Sequence, residues 1–395
     1  MWRGFEAIGS ALLDISQNEG IALPGVGRVH VVGNSAMLML LCGTRPEALL
    51  DPAGWDASIV CSLADVSGLA EGWHLDRSVR IGLEQPLGGF VGSDLLAGVV
   101  HCRLMESRQP ALLVDFGTNS EIGLWDGERL WATATAGGPA FEATGIGCGM
   151  AAEPGAIHRL SRSPDGVWQG DVLESSPPRG MCGSGLVDML AIFRSTGEID
   201  ERGRLRREPL TLSVGGAELA ISKADIDALQ RAKAAIAAAT EVLLQRAGLG
   251  CHEIGTIHVA GSFGEHLDVE NAVRIGLLPP VPAACVHLAG NTAVRGALDV
   301  VVSDEAETAL ATAKPGEDAE HDIDDDRDRD DHYPMSLTAD VRASNAAWRP
   351  SAPLEAEIVQ TLPDAFRAAE PGCVADGVPL VRAASFSFCA LMNSR

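Results

Sequence analysis

The chain has 395 residues, a formal net charge of −24, 46% hydrophobic residues and a mean hydropathy of +0.11. That length accommodates two domains, or one two-lobed domain with further sequence, around a sizeable core. The acidic balance excludes a broad phosphate-backbone or anionic-lipid surface, so neither nucleic acid nor a membrane is an expected partner, whereas a local backbone nest can still take a nucleotide.

Phe5, Ile8, Leu12, Leu13 and Ile15 recur at helical spacing and predict a helix over residues 5–16. Val29 to Val32 reads as a strand, and Gly33-Asn34-Ser35 leads from it into an apolar helix beginning at Ala36. Residues 44–84 read as loop-rich. A glycine-rich approach, Pro86 to Asp94, then opens a helix over Leu95 to Cys102, with Ser93 or Asp94 as its expected cap.

The densest signal is Leu112 to Gly138. An apolar run ends at Asp115, and a turn of small residues, Phe116 to Ser120, follows it. A second run spans Ile122 to Trp125. Asp126-Gly127 marks a hairpin, and a third run from Arg129 ends at Gly137-Gly138. The pattern is a β-meander whose first turn gathers backbone N–H groups, hydroxyls and a carboxylate. Such a turn can cradle a phosphate while Asp115 holds Mg²⁺ through water; an ordinary Gly/Asn turn has the same letters. Glu142, beside glycines, suits a metal or base role, or a cap near a helix start.

Residues 152–178 are polar with short strand-like pieces, and Gly180 to Gly185 opens a helix over Leu186 to Phe193. Residues 196–220 read as a β-excursion. The clearest helix is 223–247, with Ser222 as N-cap, Asp225 completing a capping box, and Gly248 as the stop. Thr256 to Ala260 is a buried strand ending in Gly261-Ser262-Phe263-Gly264. A helix over Val269 to Ile275 and a strand from Val286 come next, and Gly290-Asn291-Thr292 leads into a last helix. Val29 to Met37 aligns without gaps to Val286 to Val294, a repeat that suggests equivalent places in two similar lobes. Beyond residue 300 the chain turns acidic. His321 to Tyr333 holds seven Asp and two Arg, the composition of a solvated, disordered segment. The nine cysteines make no C-x-x-C and no zinc or iron–sulfur spacing, and read as reduced thiols of a cytoplasmic protein.

Jointly, Val32 to Met37, Gly88 to Asp94, Asp115 to Glu121, Ala136 to Glu142, Cys182 to Asp188, Ala260 to Gly264 and Ala289 to Ala293 carry a resemblance. Over residues 5–300 the chain resembles the C-terminal domain of ATP-dependent reductive activators of corrinoid proteins. These belong to the acetate-and-sugar-kinase, heat-shock-protein and actin superfamily. The resemblance implies an α/β, two-lobed actin-like (ribonuclease H-like) fold with ATP in the cleft between lobes. The remainder of a truncated first lobe would occupy residues 1–108, the second lobe 109–300, and an acidic, largely disordered tail 301–395.

The resemblance also implies roles for single residues. Asp115, Gly117, Thr118 and Asn119 would form the phosphate hairpin, with Asp115 the metal-holding residue. Gly261, Ser262 and Gly264 would border the adenosine, and Gly137, Gly138, Gly183 and Ser184 would complete the cofactor contacts. The catalytic candidates are Asp115, Glu121 and Glu142, with the choice between the two glutamates for positioning Mg²⁺ or water left open. The implied activity is ATP-driven reduction of a Co(II) corrinoid methyl carrier to Co(I). The electron would come from a separate ferredoxin, because no iron–sulfur cluster is expected in this chain. The first-lobe phosphate hairpin expected ahead of the helix at 5–16 has no counterpart in the sequence. The alternatives are therefore a non-catalytic docking module for a corrinoid protein, a small-molecule kinase of the same superfamily, or a truncated inactive fragment. A homodimer is left open.

Overall fold

The computed structural model describes residues 3–44, 49, 59–200, 202–261, 266–313 and 389–394. The chain forms two compact units: one from residues 1–106, 291–323 and 385–395, the other from residues 107–290 and 324–384.

The first unit opens with α1 (Arg3–Glu19), whose Ile8 and Leu12 are buried in one cluster with Trp73. β1 (Val26–Val32) runs into α2 (Ser35–Leu41), where the Asn34 side chain accepts from the Met37 N–H. The stretch read as loop-rich holds two elements. α3 (Val66–Gly72) starts at a cap by Asp65 on the Gly68 N–H, and β2 (Arg80–Leu83) pairs in parallel with β1. Residues 45–48 and 50–58 of that stretch lie outside the described residues.

α4 (Ser93–His101) is preceded by Gly92 as N-cap, which corrects the expected caps. Ser93 turns away to donate from its hydroxyl to the Gly33 carbonyl and accept from the Gly33 N–H. Only glycine fits at 92, because a Cβ there would stand 2.4 Å from the Cα of Asn34.

The second unit contains the meander. β3 (Ala111–Asp115), β4 (Ser120–Trp125) and β5 (Leu130–Thr135) are antiparallel in sequence. The Asp126 carboxylate fixes the second turn by accepting from the Glu128 and Arg129 N–H groups and the Trp131 indole. A three-stranded sheet of β6 (Ala156–Arg162), β7 (Trp168–Val172) and β8 (Gly180–Met181) follows, then α5 (Gly183–Thr196). The hairpin of β9 (Leu210–Val214) and β10 (Ala217–Ile221) is the expected β-excursion.

α6 (Lys223–Arg246) has the capping box read from the sequence: Ser222 and Asp225 satisfy one another's backbone N–H groups. β11 (Thr256–Ala260), α7 (Val269–Arg274) and β12 (Val286–Gly290) complete a five-stranded sheet ordered β12-β11-β3-β4-β5. β12 and β3 flank β11 in parallel. Leu112, Val114, Ile122 and Leu124 share one face of this sheet and pack in one core with residues of α5 and α6.

At Asn291 the chain returns to the first unit with α8 (Thr292–Val302) and α9 (Asp304–Ala313). β13 (Cys389–Ser394) then pairs antiparallel with β1. The units divide the chain at 106 and 290, and α9 and β13, beyond residue 300, belong to the first unit. The reason is packing: α8 lies so close to α4 that a Cβ on Gly296 would fall 2.0 Å from the Ala97 carbonyl oxygen. His101 Nδ1 also meets an Asp299 carboxylate oxygen at 2.8 Å. The acidic segment 321–333 lies outside the described residues. The internal repeat is structural. Asn291 caps α8 on the Val294 N–H at 3.0 Å, as Asn34 caps α2 on Met37 at 3.0 Å.

Candidate functional site

Parallel pairing of β11 with β3 sets Ala260 opposite Asp115, so the two strands end side by side. The chain leaves β11 through Gly261, whose φ of +90° suits glycine. A Cβ there would lie 2.6 Å from the Phe116 carbonyl oxygen and 3.1 Å from Asp115 Oδ1. Gly261 therefore lies directly against the turn that begins at Asp115. The Gly261 N–H donates to the Gly290 carbonyl and the Phe116 N–H to the Ala260 carbonyl, so three strand ends are tied together. In α/β sheets, ligands bind at the carboxyl ends of such parallel strands.

The turn itself is open. Thr118 and Asn119 are exposed, while Phe116 and Ser120 are buried and anchor its two ends. Gly117 is required by a close approach, because a Cβ there would stand 2.9 Å from the Asn119 carbonyl oxygen. The segment after β5 folds onto the turn. The Gly138 N–H donates to the Thr118 carbonyl at 2.9 Å. Gly138 has φ +74° and ψ 169°, a conformation for glycine, and open space where a Cβ would be. Gly137 lies near the Ser120 hydroxyl and α6, with 3.7 Å between its would-be Cβ and the Ala232 carbonyl oxygen.

The three candidate carboxylates separate into two groups. Asp115 and Glu121 are directly opposed across β3 and β4, so both side chains stand on one face of the sheet. Like charges so placed are unfavourable unless other groups or a cation balance them, and a hard dication held partly through water suits such a pair. Glu142 ends a short helix, Pro139–Glu142, and reaches the turn. Its Oε1 accepts from the Thr118 N–H at 3.2 Å, and its Oε2 accepts from the Thr118 hydroxyl.

Gly183 and Ser184 have different partners. They form the buried first turn of α5, and the Ser184 hydroxyl donates to the His158 carbonyl of β6 at 2.8 Å. The neighbouring Gly185 would place a Cβ 2.4 Å from the Ile157 carbonyl oxygen, so close packing of α5 on β6 accounts for glycine there. Ser262 and Gly264 lie outside the described residues.

Sequence reasoning missed Lys233. It is 3% exposed on α6, and burial pushes its ammonium down to about 7. The signal was present: Lys233 falls four residues after Leu229 on the helix's apolar stripe, where a cation is out of place.

The arrangement fits a nucleotide's phosphates: an exposed turn, a glycine with room in front of it, and a carboxylate pair, Asp115 at the carboxyl end of β3 and Glu121 opposite it on antiparallel β4. Comparison with known proteins shows the family. The model of the C-terminal domain of RACo, the ASKHA domain, matches residues 109–316. The corrinoid activation enzyme RamQ of Eubacterium limosum is 33% identical over 336 residues, covering 78% of this chain and 56% of that protein. The Co(II) methylated amine-specific corrinoid protein reductase of Methanosarcina barkeri is 28% identical over 235 residues, covering 54% of this chain and 42% of its own length. A solved structure of a reductive activator for a corrinoid, iron–sulfur protein superposes with a TM-score of 0.70 at 28% identity, over 78% of this chain and 52% of that one. The chain thus spans about half the length of the relatives it matches.

Proposed function

Because the chain belongs to the family of the RACo C-terminal ASKHA domain, an actin-like fold that implies nucleotide binding, we propose that it works in the ATP-dependent reductive activation of a corrinoid protein. The observation that carries this reading is the convergence of the Asp115 turn, Gly138 and Gly261 at the ends of β3 and β11. In the proposed activity one electron converts Co(II) to Co(I) on the corrinoid, supplied by a separate ferredoxin or ferredoxin-like domain. This chain's part is linkage: a conformation favoured by ATP holds the corrinoid protein differently from the nucleotide-free one, so ATP shifts its reduction.

On this reading the Thr118 and Asn119 turn takes the phosphates, and Gly261 with Ser262 and Gly264 borders the adenosine. Asp115 and Glu121 hold Mg²⁺ through its water shell, which would supply charge neutralisation of the phosphates. Their cross-strand pairing supports Glu121 over Glu142 for that role. No helix among the described residues is long and apolar enough to cross a membrane. The experiment is calorimetry with Mg-ATP on the wild type and Asp115→Ala. It is followed by reduction of a Co(II) corrinoid protein with a low-potential donor, read by the Co(I) absorbance. Binding lost in Asp115→Ala, and Co(I) formed only with ATP, is the expected result; no binding to the wild type would sink the proposal.

A docking module that grips a corrinoid protein without turnover is the second reading. The commitment of both Thr118 donors to Glu142 favours it. Its mark would be Mg-ATP binding enhanced by the corrinoid protein, with no phosphate released.

A further inference from the structure

The Glu142 carboxylate lies where an anionic ligand of the turn would lie. Its two oxygens take a backbone N–H and a hydroxyl from one exposed residue, Thr118, which is the donor pair a phosphate would need. Glu142 Oε1 also lies beside Gly117, 3.8 Å from where a Cβ would stand. The segment that delivers it has a distinct backbone at each end. It begins at Gly138, in a conformation for glycine, and ends at Ala143, a non-glycine residue in the left-handed region at φ +62°. Such strain persists where surrounding contacts enforce it. Here those contacts include the Gly138 to Thr118 bond and the two Thr118 to Glu142 bonds.

We propose that Glu142 is a built-in competitor for the phosphate-binding donors of the Asp115 turn, an internal anion that a nucleotide must displace. This rests on the nucleotide reading above and adds the regulation of that site. A carboxylate and a phosphate cannot share the Thr118 pair, and two anions at one place repel each other. With no nucleotide present, Glu142 keeps the turn in its binding shape. When phosphate arrives, the carboxylate is released and the segment from Gly138 is free to take a second position. Apparent affinity is therefore the turn's intrinsic affinity multiplied by the fraction of molecules in which Glu142 has left the turn.

The test is calorimetry with Mg-ATP on the full chain as wild type, Glu142→Gln and Glu142→Ala, with amide exchange read at Thr118. Glu142→Gln keeps the segment's size and removes its charge, so it serves if Glu142→Ala fails to fold by circular dichroism. Expected is binding roughly tenfold tighter in both variants, the scale of one charge-assisted hydrogen bond. The Thr118 amide of the nucleotide-free protein should exchange slowly in the wild type and fast in Glu142→Ala. Equal or weaker binding in the variants, with ATP still binding the wild type, overturns the competitor and leaves the nucleotide reading standing. Fast exchange at Thr118 in the wild type also overturns it. Absence of ATP binding in all three proteins overturns both.

Discussion

Asp94 shows how far one residue can be pushed from its ordinary chemistry. It is 6% exposed at the start of α4, and burial raises its carboxyl from 3.8 to about 6, against hydrogen bonds from the backbone that lower it. An acid whose folded pKa lies above its unfolded value keeps its proton better when folded. Its ionisation therefore costs stability that is absent below pH 3.8, grows as pH rises to about 6, and persists above. Asp94→Asn keeps an acceptor for the Leu95 N–H and removes the charge. It should raise stability at pH 7.5 by roughly 2–3 kcal/mol, with the difference from the wild type vanishing near pH 4 in urea titrations. At Gly261 the constraint is steric. Gly261→Ala forces a methyl against the Phe116 carbonyl oxygen at 2.6 Å and a φ of +90° on a residue with a Cβ. Expected is a loss of about 1–3 kcal/mol in urea unfolding, with Mg-ATP affinity lowered at least about tenfold because the disturbed oxygen belongs to the turn.

Between elements, the same chemistry reaches further than a local motif shows. Ser222 and Asp225 were legible as a capping box because they are three residues apart. The second job of Asp225, accepting from the Gly147 N–H at 2.7 Å, was not, because that partner is 78 residues away. Ser222→Ala should cost about 1 kcal/mol and Asp225→Ala more, since it also strands a part-buried N–H; equilibrium urea unfolding separates the two. The meander and the strand–Asn–helix repeat were legible for a similar reason, since turn chemistry and caps are written in adjacent letters. The Thr118 to Glu142 contact joins residues 24 apart and depends on how Gly138 bends the chain. So the sequence marked both glutamates as candidates without separating them. The register of β3 on β4 puts Glu121 opposite Asp115, while Glu142 meets Thr118. In Gly180 to Gly185, the glycine at 185 is accounted for by the packing of α5 on β6.

At the scale of the molecule, each unit has its own core, one around Val29 and Trp73 and one around Leu112 and Phe193. Units with separate cores have separate stabilities. Gly296→Ala, which drives a methyl into the Ala97 carbonyl in the first unit, should lower one transition in scanning calorimetry. Leu190→Ala should lower another, by about 2–5 kcal/mol as a core truncation. A single transition shifted equally by both would contradict this. The actin-like fold was legible from the joint motifs, but the place of α8 was not. Where α8 belongs is decided by Gly296 meeting Ala97, a contact between residues far apart in the chain.

The pairing of β13 with β1 has a consequence for how the molecule is made. The described residues of the second unit all fall between 107 and 290, so they can reach their native arrangement while the ribosome is still translating. β1 emerges early, yet its antiparallel neighbour, Cys389–Ser394, is synthesised after everything else described. Its edge stays unpaired throughout elongation, and an unpaired edge is a template for stray strands. Nascent chains stalled before residue 389 should therefore hold a folded second unit and an incomplete first, and should engage chaperones until the final strand is released.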